Sequence, residues 1–266
     1  SLLLVSFSFA QQTDKVDFIK CDALVAPNHA EKSISGTITY EFKVKKAIDT
    51  IKIDAINMEF SGVMINGKSV KFKKSGKTLN LFEGFKKGKN KLTFNYSAKP
   101  KQTLYFTGEG ENLQIWTQGQ GRYTSHWLPS FDDVNEKVIF NLNVSFDPNL
   151  TVISNGIHQS TVVYPPLSSQ NNIWNFRMKK PMSSYLVMLA IGNFAKQTST
   201  TKSGTPLEFY LGKNDVSKFE PTYRYSKEMF DYLEQEIGVK YPWGIYRQVP
   251  VRDFLYAGME NTTSTI

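Results

Sequence analysis

The sequence predicts a mostly β protein. A saddle-like antiparallel β-sandwich over residues 15–196 gives way to mixed α/β structure over residues 205–266. Three observations carry this. Short runs of alternating apolar and polar residues recur along most of the chain with turn residues between them, the period-two signature of half-buried strands. Aromatic residues make up 14% of the chain, and such side chains suit pleated, half-buried surfaces. A helical period appears only after residue 200. At 266 residues, 40% hydrophobic and 21% charged, the chain is globular rather than disordered and long enough for one large or two ordinary domains.

Taken in order, residues 1–10 are apolar and switch at once to Gln11-Gln12-Thr13-Asp14. They read as the remnant of a secretory signal peptide, with Ser8-Phe9-Ala10 as a small-x-small cleavage site. The expectation is an exported protein, in the periplasm, on the cell surface or outside. The run is too short to cross a membrane as a helix. Cys21 is the only cysteine, so no disulfide forms within the chain. Residues 37–44, 51–54 and 92–96 alternate cleanly. Asn66-Gly67, flanked by runs 63–65 and 70–72, predicts a tight hairpin, because Asn-Gly supplies the positive φ angles of a type I′ turn. Residues 140–146 alternate until Asp147-Pro148-Asn149 breaks the run. Asn155-Gly156 and Asn171-Asn172 mark further turns, and residues 174–176 continue the pattern.

Residues 185–194 are continuously apolar and predict a buried strand that closes the domain. The polar stretch 196–204 predicts a boundary, and 207–211 a strand. A helix follows from near Pro221, a residue favoured at the first helical position. Tyr225, Met229, Leu233 and Ile237 recur every four residues on one face. Gly238 fits the helix stop, and Pro242 prevents resumption.

The net charge of +8 is unevenly placed, with Lys71, Lys73, Lys74, Lys77, Lys86, Lys87, Lys89 and Lys91 in one stretch. Such a cluster reads as a surface for an anionic partner or as a solvated sheet face whose lysines guard edge strands. Arginine, the better reader of phosphate and bases, is scarce there, and no nucleic-acid-binding signature accompanies the lysines. The solvated face is the better account, and no nucleic acid is expected as a partner.

The last dozen residues say most about function. Residues 247–254 read as a strand leading to Ala257-Gly258-Met259-Glu260-Asn261. Ala257 and Gly258 let the backbone approach a ligand closely, and Glu260 sets a carboxylate beside it. The combination suits an extended peptide held through its main chain and through the charge on its free amino terminus. This segment closely resembles the G-x-M-E-N exopeptidase signature of the aminopeptidase N family of zinc metallopeptidases, with Ala257 in place of the first Gly. Upstream, Trp116-Thr117-Gln118-Gly119-Gln120 and then His126-Trp127-Leu128-Pro129-Ser130-Phe131-Asp132 resemble the family's T-Q-x-[EQ] segment and its R-x-x-x-P-x-x-D stretch. Tyr241-Pro242-Trp243-Gly244 resembles the family's lead-in to the exopeptidase strand. The three matches stand in the family's order.

The resemblance implies an N-terminal β domain followed, over 205–266, by the opening of a thermolysin-like catalytic domain that stops short of the zinc motif. It implies an enzyme that removes N-terminal residues from peptides. Glu260 would contact the substrate's free α-ammonium, while Ala257, Gly258 and Met259 bring the backbone close. Gln118, with Gln120 beside it, would line the pocket for the first side chain. No catalytic residue and no metal ligand is expected within this sequence, because H-E-x-x-H is absent and His29, His126 and His158 lie far apart. Zinc is expected in the full-length protein and not in this stretch. Peptides with a free N-terminus are the expected partners. The competing reading is a noncatalytic β-sandwich module that binds peptide or glycan.

Overall fold

Alternating burial builds the first and largest sheet. In the strand Val16–Asn28, the residues Val16, Phe18, Cys21, Ala23 and Val25 are fully buried. Phe18 and Cys21 are three apart, which strict alternation would put on opposite faces. A bulge between Phe18 and Lys20 absorbs the extra residue and turns both inward. The computed structural model, which describes residues 12–164 and 171–266, places this strand in a nine-stranded sheet. The order is Ile157–Val162, Asn172–Arg177, Lys137–Phe146, Val16–Asn28, Ser33–Val44, Gly88–Ala98, Met58–Ile65 and Lys68–Ser69, with Met182–Ser183 paired to Lys137–Phe146. Neighbours are antiparallel with one exception. Val16–Asn28 and Lys137–Phe146 run parallel, Lys20 opposite Ile139 and Val25 opposite Val144. The expected antiparallel sheet thus carries a parallel join at its centre. The Asn66-Gly67 hairpin forms as expected, with φ of 54° and 78°. The signal-peptide reading of residues 1–10 lies outside the described residues.

Phe18 anchors the core over this sheet. Its ring stacks on Phe42 and meets Tyr40 and Phe131, at centroid distances of 5.2, 5.3 and 4.3 Å. The segment 127–131 is fastened across the sheet by two buried phenols. Tyr40 Oη donates to the Pro129 carbonyl at 2.6 Å, and Tyr96 Oη to the Trp127 carbonyl at 3.0 Å. A second sheet, in the order Thr151–Ser154, Leu189–Gly192, Gln114–Thr117 and Leu104–Thr107, packs on the same core through Val152, Leu189, Ile191 and Ile115. Ile153, Met188 and Ala190 instead join a second cluster with Phe194, Tyr210 and Val249. Burial on both faces explains why residues 187–192 are apolar without a break. The structure divides the run 185–194 more finely than expected. A 3₁₀ turn spans Ser184–Leu186, the strand covers Leu189–Gly192, and Phe194 begins the next strand.

That next strand, Phe194–Thr200, pairs antiparallel with Pro206–Gly212, so the polar stretch 196–204 is a hairpin. Pro206–Gly212 then pairs parallel with Tyr246–Gln248, and that strand parallel with Ser264–Thr265. Parallel neighbours need a crossover, which the helices Phe219–Tyr223 and Ser226–Ile237 supply. After a 3₁₀ turn over Lys213–Lys218, α-helix starts two residues before Pro221, breaks at Arg224-Tyr225 into two helices where one was expected, and stops at Gly238, whose φ of 71° is left-handed. Tyr225, Met229, Leu233 and Ile237 do share a face, but each is more than half exposed. The crossover meets the sheet instead through Phe219, Tyr223 and Phe230, against Leu207 and Phe209. The strand expected over 247–254 is realised only as Tyr246–Gln248, and residues 249–260 are irregular.

Candidate functional site

Three connections leave the doubly buried sheet along one edge. Antiparallel pairing brings the end of Gln114–Thr117 beside the start of Leu189–Gly192, and that start beside the end of Thr151–Ser154. Residues 118–120, the turn Ser184–Leu186 and the pair Asn155-Gly156 therefore emerge together. The Thr117 hydroxyl fastens the first two, accepting from Leu189 N at 2.9 Å and donating to the Leu189 carbonyl at 3.4 Å. Thr124 Oγ1 donates to the Ser184 carbonyl at 3.0 Å. Gly119 lies so near the turn that a Cβ there would sit 2.4 Å from the Tyr185 carbonyl oxygen. Only glycine allows that approach.

The last residues dock on the same edge. Met259 and Ile266 exchange both backbone hydrogen bonds, at 2.7 and 3.1 Å, which closes 259–266 into a loop. Asn155 Nδ2 donates to the Thr262 carbonyl at 2.6 Å and to the Leu186 carbonyl at 3.0 Å, while its Oδ1 accepts from Met188 N at 2.6 Å. Gly156 N donates to Thr263 Oγ1 at 2.7 Å, and Asn261 Nδ2 to the Leu186 carbonyl at 3.3 Å. Nearby, Arg247 is 2% exposed. Its Nε donates to Glu208 at 2.5 Å, and its Nη1 to the carbonyls of Gly156 at 2.6 Å and Ser154 at 3.2 Å. Burial opposes the Glu208 charge, but the Arg247 guanidinium, helped by Lys196, holds that carboxyl below its ordinary range. Upstream of the loop, Arg252 N donates to Gln114 Oε1 at 2.8 Å, and Phe254 packs on Trp116 with centroids 5.3 Å apart.

The site residues expected from sequence fall as follows. Gln118 is buried, its backbone N–H on the Thr103 carbonyl at 2.8 Å. No hydrogen bond engages its side-chain amide among the described residues. Gln120 is exposed, as are Ala257, Gly258 and Glu260, whereas Met259 is buried. Both main-chain groups of Met259 are taken by Ile266. Glu260 makes no ion pair among the described residues. No hydrogen bond joins Gln118 to Glu260, yet their segments flank one turn, through Gly119 against Tyr185 and Asn261 on Leu186. Asp132 ties the intervening loop to the strand Ile51–Asp54. Its N–H donates to Asp54 Oδ2 at 2.8 Å and its Oδ2 accepts from Ser125 Oγ at 2.9 Å. Burial, then the neighbouring Asp54 charge, pushes its carboxyl up to about 6. Asn155 and Arg247 were not singled out by the sequence. Asn155-Gly156 gave a turn signal, but nothing local to either residue names its partners.

Among the described residues, no group of three or more His, Cys, Asp and Glu is arranged to hold a metal ion. His29, His126 and His158 are engaged separately, with the Thr107 carbonyl at 3.3 Å, Gln102 Nε2 at 3.0 Å and Thr161 Oγ1 at 2.9 Å. These residues do not fit a zinc ion. Among the described residues no helix is long and apolar enough to cross a membrane.

A β domain thus presents the strand ends of its second sheet to a loop that carries Glu260, which makes no ion pair among the described residues. Residues 20–186 match the family model of the Peptidase M1 N-terminal domain. The chain belongs to the M1 aminopeptidase family, and those residues are its N-terminal domain. It is similar to a leucyl aminopeptidase of Saccharolobus solfataricus, 24% identical over 216 residues that cover 80% of this chain and 27% of the relative. An aminopeptidase N of Lactobacillus delbrueckii subsp. lactis is 27% identical over 252 residues, 90% of this chain and 29% of the relative. A glutamyl aminopeptidase of Sus scrofa is 28% identical over 137 residues, 50% of this chain and 14% of the relative. The chain spans less than a third of the length of each.

Proposed function

We propose that this chain is the part of an exported, zinc-dependent aminopeptidase that recognises the free amino terminus of a peptide. One observation carries the reading. Gln118 and Glu260, far apart in sequence, stand on segments that meet at the turn Ser184–Leu186, and both keep their side-chain polar groups free of partners among the described residues. An unpaired carboxylate and an unpartnered buried amide on segments that flank one turn suit an ammonium group, which supplies both charge and donors. Gly258 lets a substrate backbone come close, and Gln118 adds a neutral contact to the amine or the first side chain. A peptide without a free amine at that position would leave Glu260 unpaired on desolvation. Zinc, which supplies Lewis-acid chemistry when bound, would be held by residues other than those described here. Export rests on residues 1–10, and recovery of the protein solely in the cytoplasm would overturn that part.

The test uses the whole protein. Glu260→Ala removes the carboxylate and leaves the metal ligands untouched. A hydrogen bond to a charged group contributes about 1.5–3 kcal/mol, so kcat/KM for free-amine peptides is expected to fall about ten- to a hundredfold. Metal content stays unchanged, and N-acetylated peptides, poor substrates throughout, lose little further. Gln118→Ala acts in the same direction, more weakly. Full activity of Glu260→Ala on free-amine peptides would sink the reading. Peptide binding without turnover by the whole protein would select the noncatalytic module.

A further inference from the structure

We propose that Asn155 is a positioning residue that sets the spacing between Gln118 and Glu260, an inference that rests on the function proposed above. Its carboxamide is 4% exposed and fully committed. Both its donor and acceptor ends are used, in three hydrogen bonds of 2.6–3.0 Å, on the carbonyls of Thr262 and Leu186 and on Met188 N. Those partners belong to the loop that carries Glu260 and to the segment beside Gln118. Thr262 lies two residues beyond Glu260 in the loop closed by Met259 and Ile266. Leu186 ends the turn whose other side touches Gly119, and Met188 follows it, directly before Leu189, which is fastened to Thr117. Two amides therefore link the loop of Glu260 to the turn beside Gln118: Asn261 from the loop itself at 3.3 Å, and Asn155, which reaches both sides through shorter bonds.

The chemistry requires asparagine. Two carbonyl oxygens face its nitrogen and one N–H faces its oxygen, so the group must donate twice and accept once. A carboxylate of the same size accepts only. Asn155→Asp would set lone pairs against the carbonyls of Thr262 and Leu186 and push the loop off the turn. The change moves Glu260 relative to Gln118 without altering either side chain. A displacement of about 1 Å is enough to lose a well-oriented contact. The Gly156 N–H to Thr263 Oγ1 bond, at 2.7 Å, clamps the same loop one residue further on.

The readout is the preference for an α-amine. In the whole protein, inhibition constants are measured for a short peptide inhibitor and for its des-amino counterpart. The wild type is expected to favour the amine about ten- to a hundredfold, and Glu260→Ala to bring the ratio near one. Asn155→Asp should lower the ratio at least severalfold, and Asn155→Asp combined with Glu260→Ala should lower it no further than Glu260→Ala alone. Thr263→Val, which keeps the shape and removes the hydroxyl, should shift the ratio the same way to a smaller degree. A general loss of stability would weaken both inhibitors alike and leave the ratio intact. If Asn155→Asp folds and keeps the wild-type ratio, the inference is overturned. If Asn155→Asp does not fold, an unchanged ratio in Thr263→Val overturns it. If the wild type itself shows no amine preference, the failure belongs to the proposed function.

Discussion

Arg247 and Glu136 show what buried charge does in this molecule. Arg247 satisfies one carboxylate on the neighbouring strand Pro206–Gly212 and two carbonyls at and just beyond the end of Thr151–Ser154 in the second sheet. Arg247→Met fills similar space but leaves Glu208 with only Lys196 and Tyr210 and removes the donor to the Gly156 carbonyl, and a broken buried pair costs up to about 3–5 kcal/mol. Urea unfolding should show a loss of that order, and changing Glu208 to Leu in the same chain should recover part of it. Glu136 is the opposite case. It is 4% exposed and accepts a hydrogen bond from Phe18 N at 2.9 Å, but burial, with Asp17 and Asp133 adding to it, raises its carboxyl to about 7. A carboxyl whose folded pKa exceeds its unfolded value binds more protons when folded. Its stabilising contribution is complete below the ordinary value of 4.5 and is lost as pH rises through 7. Glu136→Gln keeps an acceptor for Phe18 and removes the titration. It should be more stable than the wild type at pH 8, by roughly 1–3 kcal/mol, and nearly equal at pH 4. Parallel stability curves across that range would count against this account.

Among the elements, those legible in the sequence were the ones whose cause is local. The Asn66-Gly67 hairpin follows from two φ angles, and the alternation at 37–44 from one buried face. Pairings between distant strands leave no such mark, so the parallel join and the bulge after Phe18 were not readable. The helix was readable as a helix, and Gly238 as its end. The burial of its face was not, because periodicity reports that an apolar face exists and not what lies opposite. At the candidate site the motif residues stood out through their resemblance to a family, but the strand expected there is an irregular loop. Its backbone groups are satisfied by Ile266 and by the side chain of Asn155, which no local pattern encodes. Gly238 allows a clean test of the local reading. Nothing lies within 4 Å of a Cβ built there, so Gly238→Ala meets only the left-handed backbone penalty. The expected loss is about 1 kcal/mol, and less for Gly238→Asn, measured by urea denaturation.

For the molecule as a whole, the parallel join at the centre of the large sheet governs the order in which the chain is able to mature. During synthesis Val16–Asn28 emerges early, and Ser33–Val44 follows at once to cover one of its edges. The partner of the other edge, Lys137–Phe146, leaves the ribosome only after every strand from Ser33 to Thr117 has been made. Through that interval a strand with one apolar face shows a row of unpaired N–H and C=O groups, which is the template another chain would bind. Nascent chains arrested before Lys137 should therefore self-associate or be held by chaperones, and those arrested after Arg177 should resist protease over residues 16–28. If both lengths were equally protected, the early strand would be finding a different, temporary neighbour. The protein's exposure to misassembly is thus set by translation speed between two strands that end up side by side.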